Sequence, residues 1–178
     1  MYERFLPEFK VVEINNSTAH RIGHAISQVP AYSELPEALA GAGTVKTVAV
    51  GKYKFVENGI IVGYGSDGVL SNYDATKHSQ PCLVYNDELI TGPIDTLNRY
   101  AEEVEDGKPV YLRALPLYLG DTFTTNNFSG DAVDGYAKVD GGVLAVSTDA
   151  TDALFIAKKT TMPNKEVGIE FTYIGKAA

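Results

Sequence analysis

The pattern of hydrophobic and polar positions changes near residue 44. Beyond this point, apolar and β-branched residues occur in short runs that are separated by Asn-Gly, Asp-Gly and Gly-Gly steps. Such runs are typical of β-strands, and the glycine-containing steps are typical of the tight turns between them. The pattern predicts a mainly β protein: a small antiparallel β-barrel or sandwich with an N-terminal arm and one or two short helices.

The strands predicted from this pattern are short. They cover residues 45–50, 53–57, 60–63, 82–85, 110–119, 121–125, 136–139, 143–147, 154–158 and 168–174. Asn58-Gly59 follows the second strand, and this pair favours the type I′ turn, in which both central residues have positive φ. A hairpin is therefore predicted there. Pro116 lacks the N–H group that a central strand needs, so we expect it on an edge strand or at a bulge.

Residues 1–44 are interpreted as an N-terminal arm, and residues 45–178 as a β-rich domain. In the arm, Ala19, Ile22, Ile26 and Val29 recur at helical spacing, which predicts a short helix that ends at Pro30. The arm has few apolar residues with which to form a core of its own. We expect it to become ordered against a neighbouring subunit, and we expect its deletion to leave the β-rich domain folded.

A second helix is predicted between residues 93 and 107. Ile94, Leu97, Ala101 and Val104 share one face of this helix, and Pro93 suits its first position. Several acidic residues lie near its C-terminal end, where the helix dipole disfavours negative charge. We therefore expect the helix to be brief and to lie on the surface.

Composition and charge narrow the classes of function. A chain of 178 residues with 44% hydrophobic and 21% charged residues is typical of one folded globular domain, with or without an appendage. The net charge of −8 and the lack of a basic cluster argue against a nucleic-acid partner and against an anionic membrane surface. No signal sequence or bilayer-spanning stretch is evident, which predicts synthesis in the cytoplasm.

One segment has the spelling of a cofactor motif. Residues 63–68 match the G-x-G-x-x-G pattern of dinucleotide-binding loops and follow a predicted strand. A dinucleotide site also needs a helix that begins at the last glycine, and residues 69–74 have no helical pattern. We interpret the segment as a hairpin with its turn at Asp67-Gly68, and we predict no cofactor.

Other groups with catalytic or metal-binding chemistry also have simpler explanations. His20 and His24 lie one helical turn apart, but no third metal ligand is indicated. Cys82 is the single cysteine, and only its proximity in sequence to His78 suggests a nucleophile pair. Its apolar neighbours predict a buried, unreactive thiol. The aspartates from residue 121 onward fall at predicted turns. We predict no metal site and no enzymatic activity.

The candidate partner-binding residues are Tyr2, Phe5 and Phe9. They lie in the arm, and exposed aromatic side chains must be covered by another surface. Two such surfaces remain open: a partner protein, and the β-rich domain of the same chain.

Two threonine-rich blocks carry a resemblance to a known family. The first block is residues 120–128, GDTFTTNNF, and its pattern returns loosely in the second block, residues 158–174, which begins KKTTMPNKEVGI. Together with residues 84–88, VYNDE, these blocks resemble the decoration, or cement, proteins that coat the capsids of tailed bacteriophages. The arm is not covered by the resemblance.

The resemblance implies a virion structural protein that decorates and stabilises a phage capsid through contacts with major capsid subunits, and that forms homo-oligomers at the capsid surface. The alternative is a carbohydrate-binding or adhesive β-module, in which tyrosines cluster on one exposed concave face. An enzyme with a site at Cys82 or at an aspartate would instead have strongly shifted pKa values within one pocket.

Overall fold

The computed structural model describes residues 12–14, 26–50, 53–85, 103–104, 107–162 and 165–175. These residues form fifteen strands and a single short 3-10 helix, Glu37–Leu39. The strands are β1 (Val12–Ile14), β2 (Ile26–Ala31), β3 (Val48–Val50), β4 (Tyr53–Phe55), β5 (Ile61–Tyr64), β6 (Leu70–Asn72), β7 (Pro81–Val84), β8 (Glu103–Val104), β9 (Val110–Pro116), β10 (Thr122–Thr125), β11 (Phe128–Ser129), β12 (Gly135–Asp140), β13 (Val143–Ser147), β14 (Phe155–Thr161) and β15 (Val167–Tyr173). The described part of the chain is mainly β, as the sequence pattern predicts.

Five strands close into a barrel in the order β2-β6-β5-β7-β9. Neighbouring strands are antiparallel except for β2 and β6, which pair in parallel through Ala31 and Leu70. Alternate side chains of the strands point into the barrel. There Val62, Cys82 and Leu112 belong to a cluster of buried apolar side chains, so the interior of the barrel is a packed core.

Seven strands form a second sheet in the order β1-β10-β15-β14-β12-β13-β11, in which only β11 and β13 pair in parallel. Its longest ladder is the β14–β15 hairpin, in which all residues of both strands are paired. Phe123, Phe155 and Phe171 lie on the central strands and are buried, with ring centroids 5.7, 6.0 and 6.3 Å apart. Aromatic pairs at these distances attract one another in addition to removing apolar area from water.

The barrel packs its outer surface against this phenylalanine cluster. Val62 and Cys82 point inward, so their neighbours Ile61 and Leu83 point outward. Ile61, Leu83 and Leu115 belong to the same buried cluster as the three phenylalanines. The barrel and the seven-stranded sheet therefore share this hydrophobic cluster, which is separate from the core inside the barrel. A third, smaller sheet has the order β3-β4-β8.

Asn58-Gly59 forms a turn, but this turn does not join a hairpin. Gly59 has φ +85°, whereas Asn58 is not among the described residues with positive φ, so the turn is not type I′. The preceding strand β4 pairs with β3 and β8, and the following strand β5 pairs with β6 and β7. The hairpin prediction is wrong because the turn carries the chain from one sheet into another.

The part of the first predicted helix that the structure describes is a β-strand. Ile26 and Val29, which the spacing predicts on an apolar helix face, lie in β2, and Pro30 continues that strand. The β2–β9 register shifts between Ile26 and Val29. A bulge of this kind turns residues three apart toward the same side, which imitates helical spacing. The helix prediction is therefore wrong for residues 26–29, and residues 15–25 lie outside the described residues.

The second predicted helix also ends in a strand. Val104, placed on its apolar face, lies in β8, which pairs with β4. The helical spacing predicted from sequence is a weak local preference, and sheet pairing overrides it here. Residues 86–102, which contain the rest of that prediction, lie outside the described residues.

Part of the predicted arm is integral to the β structure. β1 pairs with β10 at the edge of the seven-stranded sheet, and β2 closes the barrel between β6 and β9. The boundary at residue 44 stays a prediction, but residues 26–31 complete the barrel. Deletion of residues 1–44 is therefore expected to open the barrel, contrary to the expectation from sequence.

Candidate functional site

The first threonine-rich block, residues 120–128, builds the connection into the seven-stranded sheet. Asp121 accepts a hydrogen bond from the N–H of Tyr118 through Oδ2 at 2.7 Å, which closes the turn before β10. In β10, Phe123 packs in the aromatic cluster and Thr125 is completely buried. The block thus contributes to the core and to a turn of the fold.

The end of this block contacts the Asn58-Gly59 turn through a hydrogen bond. Asn127 is buried, and its Nδ2 donates to the carbonyl oxygen of Asn58 at 2.7 Å. The N–H of Asn127 donates to Thr125 Oγ1 at 3.0 Å. A Cβ on Gly59 would lie 2.7 Å from the same hydroxyl, so glycine fits where a larger residue would not. These contacts fasten the start of barrel strand β5 to the seven-stranded sheet.

The second threonine-rich block lies beside the first. β15 pairs with β10 over the full length of β10, and β14 pairs with β15 on its other side. Asn126 Nδ2 also donates to Glu166 Oε2 at 2.7 Å, which joins the two blocks through side chains. In the third segment, Val84 is buried in the barrel, and residues 86–88 lie outside the described residues.

Residues 63–68 contain the last two residues of β5 and the loop that follows them in the β5–β6 hairpin. The N–H of Gly65 donates to the carbonyl oxygen of Val69 at 3.0 Å, and Asp67 Oδ1 accepts from the N–H of Val69 at 3.1 Å. Strand β6 begins at Leu70, where a dinucleotide site needs the N-terminus of a helix. Gly65 and Gly68 therefore serve a turn, as the sequence predicts, whereas Gly63 lies in strand β5.

His78 and Cys82 lie on opposite faces of the barrel wall. Cys82 points inward beside Val62, so the next residue of β5, Gly63, faces outward. His78 is buried directly over Gly63, where a Cβ would overlap the imidazole ring. Burial raises the pKa of the Cys82 thiol to about 11, so the thiol is protonated at neutral pH. The two side chains do not form a nucleophile pair, and the predicted burial of Cys82 is confirmed.

His78 instead orders the loop after β6. Its Nδ1 accepts a hydrogen bond from the N–H of Asp74 at 3.0 Å, so in the neutral ring Nε2 carries the proton and donates to Ser71 Oγ at 3.1 Å. The imidazole also stacks on Tyr73 with ring centroids 6.0 Å apart. His78 thereby holds Tyr73 and Asp74 in place.

These two residues form one wall of a groove at the junction of the barrel and the seven-stranded sheet. The groove has a volume of about 540 Å³ and is lined by Tyr73, Asp74, Ala75, Lys138, Val139, Asp140, Asp152 and Leu154. Small-molecule sites typically have volumes of about 300–1,000 Å³. The groove is therefore the candidate functional site of the described residues.

Both walls of the groove are attached to Ile61 of β5. The N–H of Ile61 donates to the carbonyl oxygen of Gly142 at 2.7 Å, and its carbonyl oxygen accepts from the N–H of Tyr73 at 3.1 Å. Gly142 belongs to the two-residue turn that follows Asp140 in the β12–β13 hairpin. Main-chain hydrogen bonds therefore set the separation of the walls.

Three carboxylates and one amino group line the groove. Hydrogen bonds from the hydroxyl and then the N–H of Thr76 lower the pKa of Asp74, and the nearby Lys77 lowers it further. Asp140 and Asp152 are exposed, and their carboxylates accept no hydrogen bond from another described residue. The described residues contain no group of three or more His, Cys, Asp or Glu side chains able to hold a metal ion.

Sequence reasoning did not find this groove. Asp140 and Asp152 carry turn signals, and they do occupy turns: Asp140 precedes Gly141-Gly142, and Asp152 has φ +57°. Tyr73 and Lys138 belong to no motif. No local signal connects these residues, because separate segments of the chain meet at the groove only in the folded protein.

The predicted partner-binding residues Tyr2, Phe5 and Phe9 lie outside the described residues, as do His20 and His24. The exposed tyrosines of the described ranges, Tyr64, Tyr111 and Tyr118, do not line the groove. Among the described tyrosines, Tyr73 lines the groove.

No protein-family model, no curated protein and no solved structure matches this chain. In the ranges that the structure describes, no helix has the length and apolar character needed to span a membrane.

Proposed function

We propose that this chain is a virion structural protein that decorates a tailed-phage capsid and reinforces the contacts between major capsid subunits. The observation that supports the proposal is the pairing of β10 with β15, which brings the two threonine-rich blocks side by side. The resemblance to capsid decoration proteins rests on these blocks. Residues of these blocks pair with each other, pack in the core and hold the barrel against the sheet. The pattern therefore reflects the core of the seven-stranded sheet and its junction with the barrel, and not a single turn.

The state of the reactive groups favours binding over catalysis. Cys82 is buried with a raised pKa, and the imidazole of His78 is hydrogen-bonded on both nitrogens. The pKa values of Asp74 and Asp149 are lowered, mainly through hydrogen bonds from Thr76 and Thr151. A general acid or base works best with a pKa near the operating pH, and these shifts move the carboxyls away from it.

We assign the contact with the capsid to the aromatic residues of the arm, Tyr2, Phe5 and Phe9. The next strand, β1, pairs with β10 at the edge of the seven-stranded sheet, beside the first threonine-rich block. Aromatic side chains are frequent anchors of protein interfaces. In this proposal the chain is synthesised in the host cytoplasm and then binds the major capsid protein and copies of itself at the virion surface.

The composition of purified particles tests this function. Particles are banded on a density gradient from cultures that carry the gene, and their proteins are quantified by mass spectrometry. We expect the chain in many copies, at a fixed ratio to the major capsid protein. Particles that contain the major capsid protein but lack this chain would overturn the proposal.

A binding assay tests the assigned contact. The full-length chain is added to capsids made without it, and the bound fraction is measured after sedimentation. A variant in which Tyr2, Phe5 and Phe9 are all changed to Ser is expected to bind at least about tenfold more weakly, because hot-spot aromatics dominate interface energies. Tyr111→Ser changes an exposed tyrosine of the barrel and is the matched control. Equal binding by both variants would contradict the assigned contact.

A further inference from the structure

The groove at the barrel–sheet junction has the chemistry of a small-molecule site. We propose that it binds a short saccharide that is neutral or carries an amino group. The proposal does not depend on capsid attachment, since the groove residues lie outside the threonine-rich blocks and the arm.

The side chains of the groove match the two kinds of surface that a sugar presents. Tyr73 and the apolar side chain of Val139, both partly exposed, offer a surface for the C–H faces of a sugar ring. Asp140 and Asp152 offer carboxylate oxygens that no described residue engages, and carboxylates accept strong hydrogen bonds from hydroxyl groups. A ligand with both apolar faces and hydroxyl donors satisfies both sets of groups.

The main chain adds further hydrogen-bonding groups. β12 pairs with β14 only from Gly135 to Ala137, and the N–H of Leu154 then donates to the carbonyl oxygen of Ala137. Beyond that point, the side of β12 from Lys138 to Asp140 that faces the groove has no paired strand among the described residues. An unpaired strand edge presents N–H donors and C=O acceptors. Hydroxyl groups can bond to both.

The balance of charge decides the class of saccharide. Asp74, Asp140 and Asp152 line the groove against the single amino group of Lys138, and the whole chain has a net charge of −8. A carboxylated, sulfated or phosphorylated sugar would be repelled by the carboxylates. Neutral sugars and amino sugars meet no such repulsion.

The groove is also organised in advance of binding. Ile61 ties Tyr73 to Gly142 through its main chain, and His78 holds Tyr73 and Asp74. A site whose walls are already ordered loses less conformational entropy when a ligand enters. His78 is thus a positioning residue for the groove.

Binding by the isolated full-length chain tests the proposal. The chain is applied to a glycan array that contains neutral, amino and anionic saccharides, and the strongest binder is titrated against the isotope-labelled chain by NMR. We expect binding of neutral or amino sugars, with chemical-shift changes at Tyr73, Asp140 and Asp152. Absence of any saccharide binding, preference for anionic sugars, or shifts confined to another surface would overturn the proposal. Binding of a basic peptide without any saccharide would overturn it in favour of a partner at the strand edge.

Matched variants locate the site. Asp140→Asn and Asp152→Asn are each expected to weaken binding about tenfold, the effect of losing one hydrogen bond to a charged group. Asp131→Asn changes an exposed aspartate outside the groove and is expected to leave affinity unchanged. Tyr73→Phe keeps the ring and should retain binding, whereas Tyr73→Leu should lose it. Thermal unfolding of each variant verifies the fold, and unchanged affinity in both folded aspartate variants would overturn the proposal.

Discussion

Gly63 has no side chain, and the space this leaves is occupied by His78, which holds one wall of the groove. The imidazole lies over Gly63 because this residue has no Cβ, and from there it reaches both Ser71 and Asp74. The sequence at Gly63 reads as one glycine of a cofactor motif. Its physical role is to leave room for the imidazole.

Gly63→Ala is expected to destabilise the protein by about 1–3 kcal/mol, the usual cost of forcing extra volume into a packed site. The new methyl group would displace the ring of His78 and break its hydrogen bonds. Urea unfolding measures the loss. In the double variant with His78→Ala the clash disappears. Its loss of stability should therefore be smaller than the sum of the losses in the two single variants. Strictly additive losses would contradict this account.

Cys82 is expected to make stability depend on pH at the alkaline end. Burial raises its pKa from 9.0 to about 11. Because the folded protein holds this proton more tightly than the unfolded chain, the stabilising contribution is complete below about pH 9 and is lost as the pH rises through about 11. The change is on the order of 2 kcal/mol across that window.

Unfolding by guanidinium between pH 8 and pH 11 measures this change, with Cys82→Ala as the control. The variant should lose less stability over the window, although Tyr73 and Tyr173, whose pKa values burial also raises, still titrate in both proteins. At pH 8 the folded wild type should react slowly with a thiol reagent. Rapid reaction, or identical pH profiles for both proteins, would count against a buried thiol.

At the scale of elements, two tight turns show that local sequence favours a turn, whereas tertiary pairing decides whether that turn joins a hairpin. Gly141 and Gly142 have φ +53° and +86°, and the flanking residues Asp140 and Val143 pair directly. This is the type I′ hairpin geometry that the sequence suggested for Asn58-Gly59. At Asn58-Gly59 the strands before and after the turn belong to different sheets. The turn preference of Asn-Gly is therefore used there to pass the chain from one sheet to another.

The Gly141-Gly142 turn provides a direct test of this geometry. A Cβ on Gly141 would meet no other atom, so any cost of substitution arises from its positive φ. Gly141→Asn is expected to change the free energy of unfolding by less than about 0.5 kcal/mol, since Asn tolerates left-handed geometry. Gly141→Val is expected to destabilise by about 1–2 kcal/mol. Equal melting temperatures for the two variants would argue against a type I′ turn in solution.

At the scale of the molecule, the barrel and the seven-stranded sheet share buried contacts, and we expect them to unfold together. Ile61, Leu83 and Leu115 of the barrel share a buried cluster with the phenylalanines of the sheet. Asn127 ties the sheet to the Asn58-Gly59 turn, and Gly142 ties it to Ile61. Unfolding of either part would expose the apolar surface of the other.

Truncation from the N-terminus tests how much of the arm this structure needs. A chain that begins at residue 45 lacks β1 and β2, so the barrel interior around Leu70 and Leu112 loses its closing strand. This truncation is expected to abolish cooperative thermal unfolding. A chain that begins at residue 12 keeps both strands and should unfold cooperatively, as the matched control. Cooperative unfolding of the shorter chain would show that residues 45–178 fold by themselves.

Most of the β-strands could be predicted from the sequence, because alternation and β-propensity are local properties of a chain. Predicted residues 143–147 match β13, and residues 168–174 match β15 to within one residue at each end. The burial of Cys82 was also predictable from its apolar neighbours. The helix predicted over Ile26 and Val29 failed because a β-bulge and a helix both turn residues three apart toward one side.

The sequence by itself determined the mainly β class, most of the strand positions and part of the turn chemistry, since these depend on residues close together in the chain. The tertiary structure alone decided which strands pair, that β2 closes the barrel, and that Tyr73 meets Asp140 and Asp152 across a groove. These contacts join distant segments, and many strand pairings satisfy the same local pattern. Only burial of the hydrophobic clusters selects among them, because a strand in another register would turn its apolar side chains toward water.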